Sequence, residues 1–149
     1  MSEETLFFEI FGNGNSIKIT LIGYSFPNAE LDWDKNWIKG LVEVKAGAFF
    51  GQFGADFITI DFATFKNELS ILYDRLNGAA IFTTLENQVN IKITGDGTGH
   101  LKAECKVMNE PSFGSKLQFE IDFDQTNIPK TLKQLDKITN KFPKIGELN

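Results

Sequence analysis

The sequence has almost none of the side chains on which most enzyme chemistry rests. Among 149 residues there is one cysteine, Cys105, and one histidine, His100. A lone cysteine cannot close an internal disulfide, which fits a reducing compartment. One His with one Cys falls short of the three or four nitrogen and sulfur ligands that a zinc site needs. They do not make a nucleophile–base pair either. Five residues apart on one strand, they point to opposite faces, and Cys105 falls on the apolar side with Leu101 and Ala103. No run approaches the roughly 18 apolar residues of a membrane span. Met1-Ser2-Glu3-Glu4 is acidic and no apolar segment follows, so no signal peptide is expected. These absences lead to the expectation of a cytoplasmic protein with no cofactor, no metal and no membrane contact.

What is present is the composition of an ordinary globular protein, 42% hydrophobic and 23% charged. A chain of this length is expected to form one domain over residues 1–149, and it is long enough to bury a core without staples. Fifteen phenylalanines suit strands, where flat rings pack on a pleated surface. The net charge of −5 lies entirely in the first half: nine acids and four lysines up to Thr64, then eleven acids and eleven bases. An acidic surface disfavours nucleic acid and steers toward a basic partner.

The pattern along the chain is strands, helix, strands, helix. Leu6–Phe11 and Ile17–Phe26 read as a hairpin across Gly12-Asn13-Gly14-Asn15. Ile38–Phe50 reads as a long strand, with a turn at Gly51-Gln52 and a return over Phe53–Ile60. Asp61 is placed to cap a helix whose stripe is Phe62, Phe65, Leu69, Leu72 and Leu76, with Gly78 as its left-handed end. Ala79–Leu85, Val89–Thr94, Leu101–Val107 and Leu117–Phe123 are strands, the last two with clean period-two alternation. A final helix starts near Thr126 or Asn127 and carries the stripe Ile128, Leu132, Leu135, Ile138 and Phe142. The expected fold is α+β: a largely antiparallel, curved meander of about eight strands against two helices. No linker and no repeat is visible.

Few patterns carry chemistry. Gly95-Asp96-Gly97-Thr98-Gly99 lacks the lysine of a phosphate loop and lies between strands, so it reads as a hairpin turn. Glu120, Asp122 and Asp124 share one strand face, where acids could bind calcium or act as an acid–base pair, but a solvated face is the simpler reading. The lysines of the last helix read as a solvated face. The stretch Tyr24-Ser25-Phe26-Pro27 to Leu31-Asp32-Trp33-Asp34-Lys35-Asn36-Trp37 stands apart. It interrupts the strands and holds both tryptophans. An aromatic flanked by acids is a common anchor of protein interfaces; the other reading makes the tryptophans plugs at one end of the sheet. Trp37, running directly into a strand, is expected to be buried, while Trp33 is open between the two.

Those same residues carry a resemblance. Tyr24-x-Phe26-Pro27, then Asp32-x-Asp34-x-Asn36-Trp37 opening a strand, resembles the WapI-type immunity proteins of bacteria. Asp61 before an amphipathic helix, Phe82 with Leu85-Glu86, Pro111 before the last strand and Phe142-Pro143 follow in order, so the resemblance spans Leu6 to Pro143. Where members often show Glu-Pro, this chain has Glu86-Asn87. The resemblance implies a non-enzymatic protein that binds and neutralises a cognate toxin domain, a nuclease being one class of target. The interface expected on this reading is Glu30, Asp32, Trp33, Asp34 and Asn36. Two other classes compete with it. One is a hydrolase using the sheet-face carboxylates. The other is a small-ligand or structural module with an apolar cavity between sheet and helices.

Overall fold

The computed structural model describes residues 5–146. β1 (Leu6–Gly12) and β2 (Asn15–Tyr24) alternate as the sequence does, sending Phe8, Ile10, Ile17 and Ile19 inward. Asn13-Gly14, both at positive φ, close the hairpin between them. A short helix, α1 (Asp32–Lys35), leads into β3 (Trp37–Ala46) and β4 (Phe49–Ile58), followed by helix α2 (Thr59–Arg75). β5 (Asn77–Thr83), β6 (Val89–Asp96), β7 (His100–Met108) and β8 (Lys116–Asp124) come next. A 3-10 turn over Gln125–Asn127 then leads into helix α3 (Ile128–Lys141). The fold is α+β, with every strand pairing antiparallel. The eight strands divide at α2 into two four-stranded sheets, ordered β1-β2-β3-β4 and β5-β6-β7-β8.

Each sheet is followed by a helix, and each helix serves the other sheet. α3, which ends the second half, lies along the open edge of β1. There Gln134 Oε1 accepts the Glu9 N–H at 3.0 Å, and Thr131 Oγ1 donates to the Glu9 carbonyl at 3.0 Å. α2, which ends the first half, does the same for β5, where Glu68 Oε1 accepts the Ile81 N–H at 2.8 Å. The connecting turns repeat the exchange. Asn15 Nδ2 donates to the Glu120 carbonyl of β8 at 2.7 Å, and Gln88 Nε2 donates to the Gly54 carbonyl of β4 at 3.3 Å. Unpaired strand edges invite aggregation; here two of four are closed by helices.

The centre is phenylalanine. Phe8 of β1, Phe57 of β4, Phe62 and Phe65 of α2, and Phe82 of β5 are wholly buried, with ring centroids 5.4–6.2 Å apart at tilted or edge-on angles. Phe8 and Phe82 come from different sheets, so this contact joins the two halves. Each ring is worth roughly 2–3 kcal/mol in burial alone.

Several boundaries differ from the expected ones, for local reasons. The turn between β3 and β4 is Gly47-Ala48, not Gly51-Gln52. Gly47 takes φ 61°, and Asn15 Oδ1 accepts its N–H at 2.8 Å; Gly51 and Gly54 lie in the strand. α2 starts at Thr59, so Asp61 sits in the third helical position, its carboxylate accepting the Ile58 N–H at 3.2 Å. The left-handed end of α2 is Leu76 (φ 59°), not Gly78, because Asn77 and Gly78 are already paired with Asp96 and Gly95. The Leu76 carbonyl is then met by the Gly97 N–H at 2.7 Å.

Two predictions arise here. Gly12, at the end of β1, lies against β8, and a Cβ there would run into the Asp122 carbonyl. Both partners are backbone in sheets, so neither yields readily. Gly12→Ala is expected to destabilise by about 2 kcal/mol, a drop in Tm of roughly 4–8 °C by calorimetry. The second concerns Asp61. Burial pushes its carboxyl up to about 6, against the lowering effect of the Ile58 N–H. A folded pKa above the unfolded one means that the folded state holds the proton more tightly. Stability from this group is therefore present below about pH 4 and lost as pH rises toward 6. Asp61→Asn keeps an acceptor for Ile58 without the charge. It is expected to stabilise by about 1–2 kcal/mol at pH 8 and to be neutral at pH 4, read from urea midpoints at the two pH values.

Candidate functional site

The connection from β2 to β3 is short on regular structure and rich in ties. β2 ends at Tyr24, whose ring packs edge-on against Phe142 with centroids 5.1 Å apart. The Ser25 N–H donates to the Trp37 carbonyl at 2.9 Å, so the two ends of the connection are pinned together. Pro27-Asn28 turns the chain, the Ala29 N–H reaching the Phe26 carbonyl at 3.2 Å. α1 is a single turn, in which the Lys35 N–H donates to Leu31 and the Asn36 N–H to Trp33.

Asn36 holds this segment down. It is 0% exposed and every polar atom of its side chain is used. Nδ2 donates to the Asp32 carbonyl at 2.6 Å and the Ile145 carbonyl at 2.9 Å. Oδ1 accepts from Thr59 Oγ1 at 2.5 Å and from the Ile145 N–H at 2.8 Å. One side chain thus joins α1, the start of α2 and the C-terminal segment. The expectation that Asn36 forms part of a contact surface is corrected: a side chain with no exposure and no spare hydrogen-bonding atom has nothing to offer a partner.

The remaining expected residues are on the surface together. Trp33 is exposed by 39%, Glu30 is exposed, and Asp32 and Asp34 are half-buried. Trp37 is half-buried, paired across to Ile58 of β4. The sequence reading missed two neighbours, Phe26 and Leu31, exposed by 55% and 67%. Pro27 directly after Phe26 was the available signal, since it ends the strand before Phe26 can turn inward. A concavity of about 520 Å³ is lined by Phe26, Pro27, Asn28, Ala29 and Asp34. Three exposed apolar side chains thus fall within eight residues of one connection, with carboxylates between and beside them.

The other candidates fall elsewhere. Cys105 is buried, and burial pushes its thiol up to about 12. His100 is exposed, its Nε2 3.5 Å from Asp122. Glu120 is paired with Lys102 at 3.1 Å, and Asp124 accepts the Thr126 N–H at 3.1 Å, which holds its carboxyl below the usual range. No cluster of three or more His, Cys, Asp or Glu among the described residues could hold a metal ion, and no helix among them is long and apolar enough to cross a membrane. Between the sheets and α2 lies the phenylalanine cluster, part of one continuous buried core. The larger concavity, about 690 Å³, lies on the outer face of the second sheet beside Ile81, Lys92, Lys106 and Lys116 and holds none of the residues expected at the interface.

The family model for immunity protein WapI-like proteins matches residues 7–143. No curated protein matches the chain. Among solved structures it is similar to WHY1 from Arabidopsis thaliana, with TM-score 0.56 and 9% identity over 96% of this chain and 88% of that one. It is also similar to MRP1/MRP2 of Trypanosoma bruciei, with TM-score 0.52 and 8% identity over 93% of this chain and 86% of that one. A third is the plant transcriptional regulator PBF-2, with TM-score 0.53 and 11% identity over 98% of this chain and 92% of that one. At such identities the likeness is one of fold.

Proposed function

We propose, since the chain belongs to the immunity protein WapI-like family, that it binds a cognate protein toxin through the β2–β3 connection and holds it inactive without chemistry of its own. The observation that carries this reading is the exposure of Phe26, Leu31 and Trp33 on a segment tied down by Asn36. A rigid anchor loses little entropy on binding, so more of its contact energy appears as affinity. Glu30 and Asp34 flank the anchor, and the first half of the chain carries the whole net charge of −5. That charge favours a toxin with a basic contact face, as a nuclease has around its substrate cleft. The apolar centre supplies affinity and the acidic margin supplies approach.

Co-expression with the toxin encoded beside it tests the proposal. The wild-type chain is expected to restore growth and to co-purify with the toxin. Trp33→Ala is expected to weaken binding by about 2 kcal/mol, roughly thirtyfold in Kd, with Tm unchanged. Glu30→Lys with Asp34→Lys is expected to slow association and to flatten its salt dependence. Tight binding by a folded chain carrying all three changes would move the interface elsewhere.

A further inference from the structure

We infer that the concavity on the outer face of the second sheet is a binding site for a small phosphate monoester, a mononucleotide or a sugar phosphate, held by Lys92, Lys106 and Lys116. The inference stands apart from toxin binding and uses residues of the other sheet.

Register places the three lysines. Lys92 of β6 lies opposite Glu104 of β7, and Asn90 opposite Lys106. Lys106 in turn lies opposite Gln118 of β8, and Met108 opposite Lys116. Each lysine is therefore one diagonal step from the next, and such steps span about 7–8 Å. Period two puts all three on the outer face, away from the core, and all three are exposed. Their flexible four-carbon stems allow the ammonium groups to close on one anion.

Two observations separate this group from an ordinary solvated face. The first is charge left uncompensated. Elsewhere on the same face cations are answered: Lys102 is paired with Glu120 at 3.1 Å, and His100 stands 3.5 Å from Asp122. Among the described residues Lys92, Lys106 and Lys116 have no such partner. Glu104 is the one acid lining the concavity, so three lysines less one carboxylate leave two positive charges. A phosphate monoester carries about −1.5 to −2 at pH 7.

The second is a built wall. Asn87 and Ser112 line the concavity from the β5–β6 and β7–β8 connections. The buried Gln88 ties these connections together. Its Nε2 donates to the Met108 and Asn109 carbonyls, each at 3.3 Å, and its own carbonyl accepts the Met108 N–H at 2.9 Å. Asn109 Oδ1 accepts the Ser115 N–H at 2.6 Å, which closes the second connection on itself. The volume of about 690 Å³ is that of a small-molecule site. Asn90 Oδ1 is taken by the Thr83 hydroxyl at 2.7 Å, so its amide has N–H donors to offer phosphate oxygens. No aromatic side chain lines the concavity. Runs of nucleotides bind by stacking on aromatic rings, so the lining suits a single phosphate better than a strand.

Titration calorimetry of the full chain with adenosine 5′-monophosphate and with glucose 6-phosphate tests the site. At least one is expected to bind with a Kd of about 1 mM or tighter, with its unphosphorylated parent about tenfold weaker or more. Lys106→Gln, at the centre of the line, is expected to weaken that binding about tenfold. Glu104→Gln is expected to tighten it roughly threefold, which loss of a merely structural side chain would not do. Both variants should keep the wild-type Tm. Binding should also weaken between pH 7.5 and 5.5, as the phosphate takes up its second proton near pH 6 while the lysines stay charged. No heat from either ester at about 10 mM overturns the inference. So does an affinity that ignores Lys106→Gln, or a parent compound that matches its phosphate. A thymidine oligonucleotide bound far more tightly than either ester, and released by Lys106→Gln, would assign the lysines to a nucleic-acid strand and overturn the small ligand.

Discussion

Asn36→Ala is expected to cost about 3–5 kcal/mol of stability, among the largest effects of any single change outside the aromatic core. The side chain makes four hydrogen bonds, to Asp32, Thr59 and both backbone groups of Ile145. Each contributes about 1 kcal/mol net, and each partner left buried and unpaired costs more. Against a total stability of roughly 5–15 kcal/mol, the variant should show a urea midpoint lowered by about a fifth or more with an unchanged slope. Asn36→Asp keeps the acceptor but loses both donations and places a charge where there is no solvent, so it should be at least as severe. A midpoint within 1 kcal/mol of wild type would mean that the segment is held by something else. The change should also weaken toxin binding indirectly, since Trp33 and Leu31 sit on the turn that Asn36 secures.

Phe82→Ala is the second. Its ring touches four others, Phe8 at 5.4 Å, Phe62 at 5.4 Å, Phe65 at 5.5 Å and Phe57 at 6.0 Å. Truncation removes the transfer energy of the ring and leaves a cavity that neighbours from two sheets and a helix cannot collapse to fill. The expected loss is about 4–5 kcal/mol, a fall in Tm of roughly 10–15 °C in a single transition. Phe82→Leu, which fills most of the space, should lose about 1–2 kcal/mol. Phe113→Ala, at 92% exposure, should lose nothing measurable and serves as the control. Because Phe82 joins the halves, hydrogen exchange should accelerate in β2 and β3 as much as in β6 and β7. Acceleration confined to the second sheet would show that the halves unfold separately.

Much of this architecture was legible because it repeats at period two or at spacings of three and four. The alternation Leu101-Ala103-Cys105-Val107 against Lys102-Glu104-Lys106 placed β7, and the stripe Phe62-Phe65-Leu69-Leu72 placed α2. What failed was local or distant. The turn at Gly47-Ala48 was missed because Phe49-Phe50 looks like more core, and only the pairing with β3 reveals those rings as exposed. The division into two sheets has no mark in the sequence, since the strands of both halves alternate alike. Asn36 illustrates the harder case. Beside an acid-flanked tryptophan it looked like a contact residue, but its partners Thr59 and Ile145 lie 23 and 109 residues away. Asn87 is a simpler case: its φ of 59° is one that proline cannot adopt.

The exchange of helices between the halves has a consequence in time. The bond that closes β1 runs from Glu9 to Gln134, 125 residues later. At a synthesis rate of about 5–20 residues per second, the first strand of a nascent chain waits roughly 6–25 s for the helix that covers it. The edge of β5 never waits, because α2 is made before it. Synthesis from the N-terminus therefore leaves the first sheet as the exposed intermediate, with β1 and β4 both open. That is the interval in which a holding chaperone would find this protein and in which crowded ribosomes would entangle neighbouring copies.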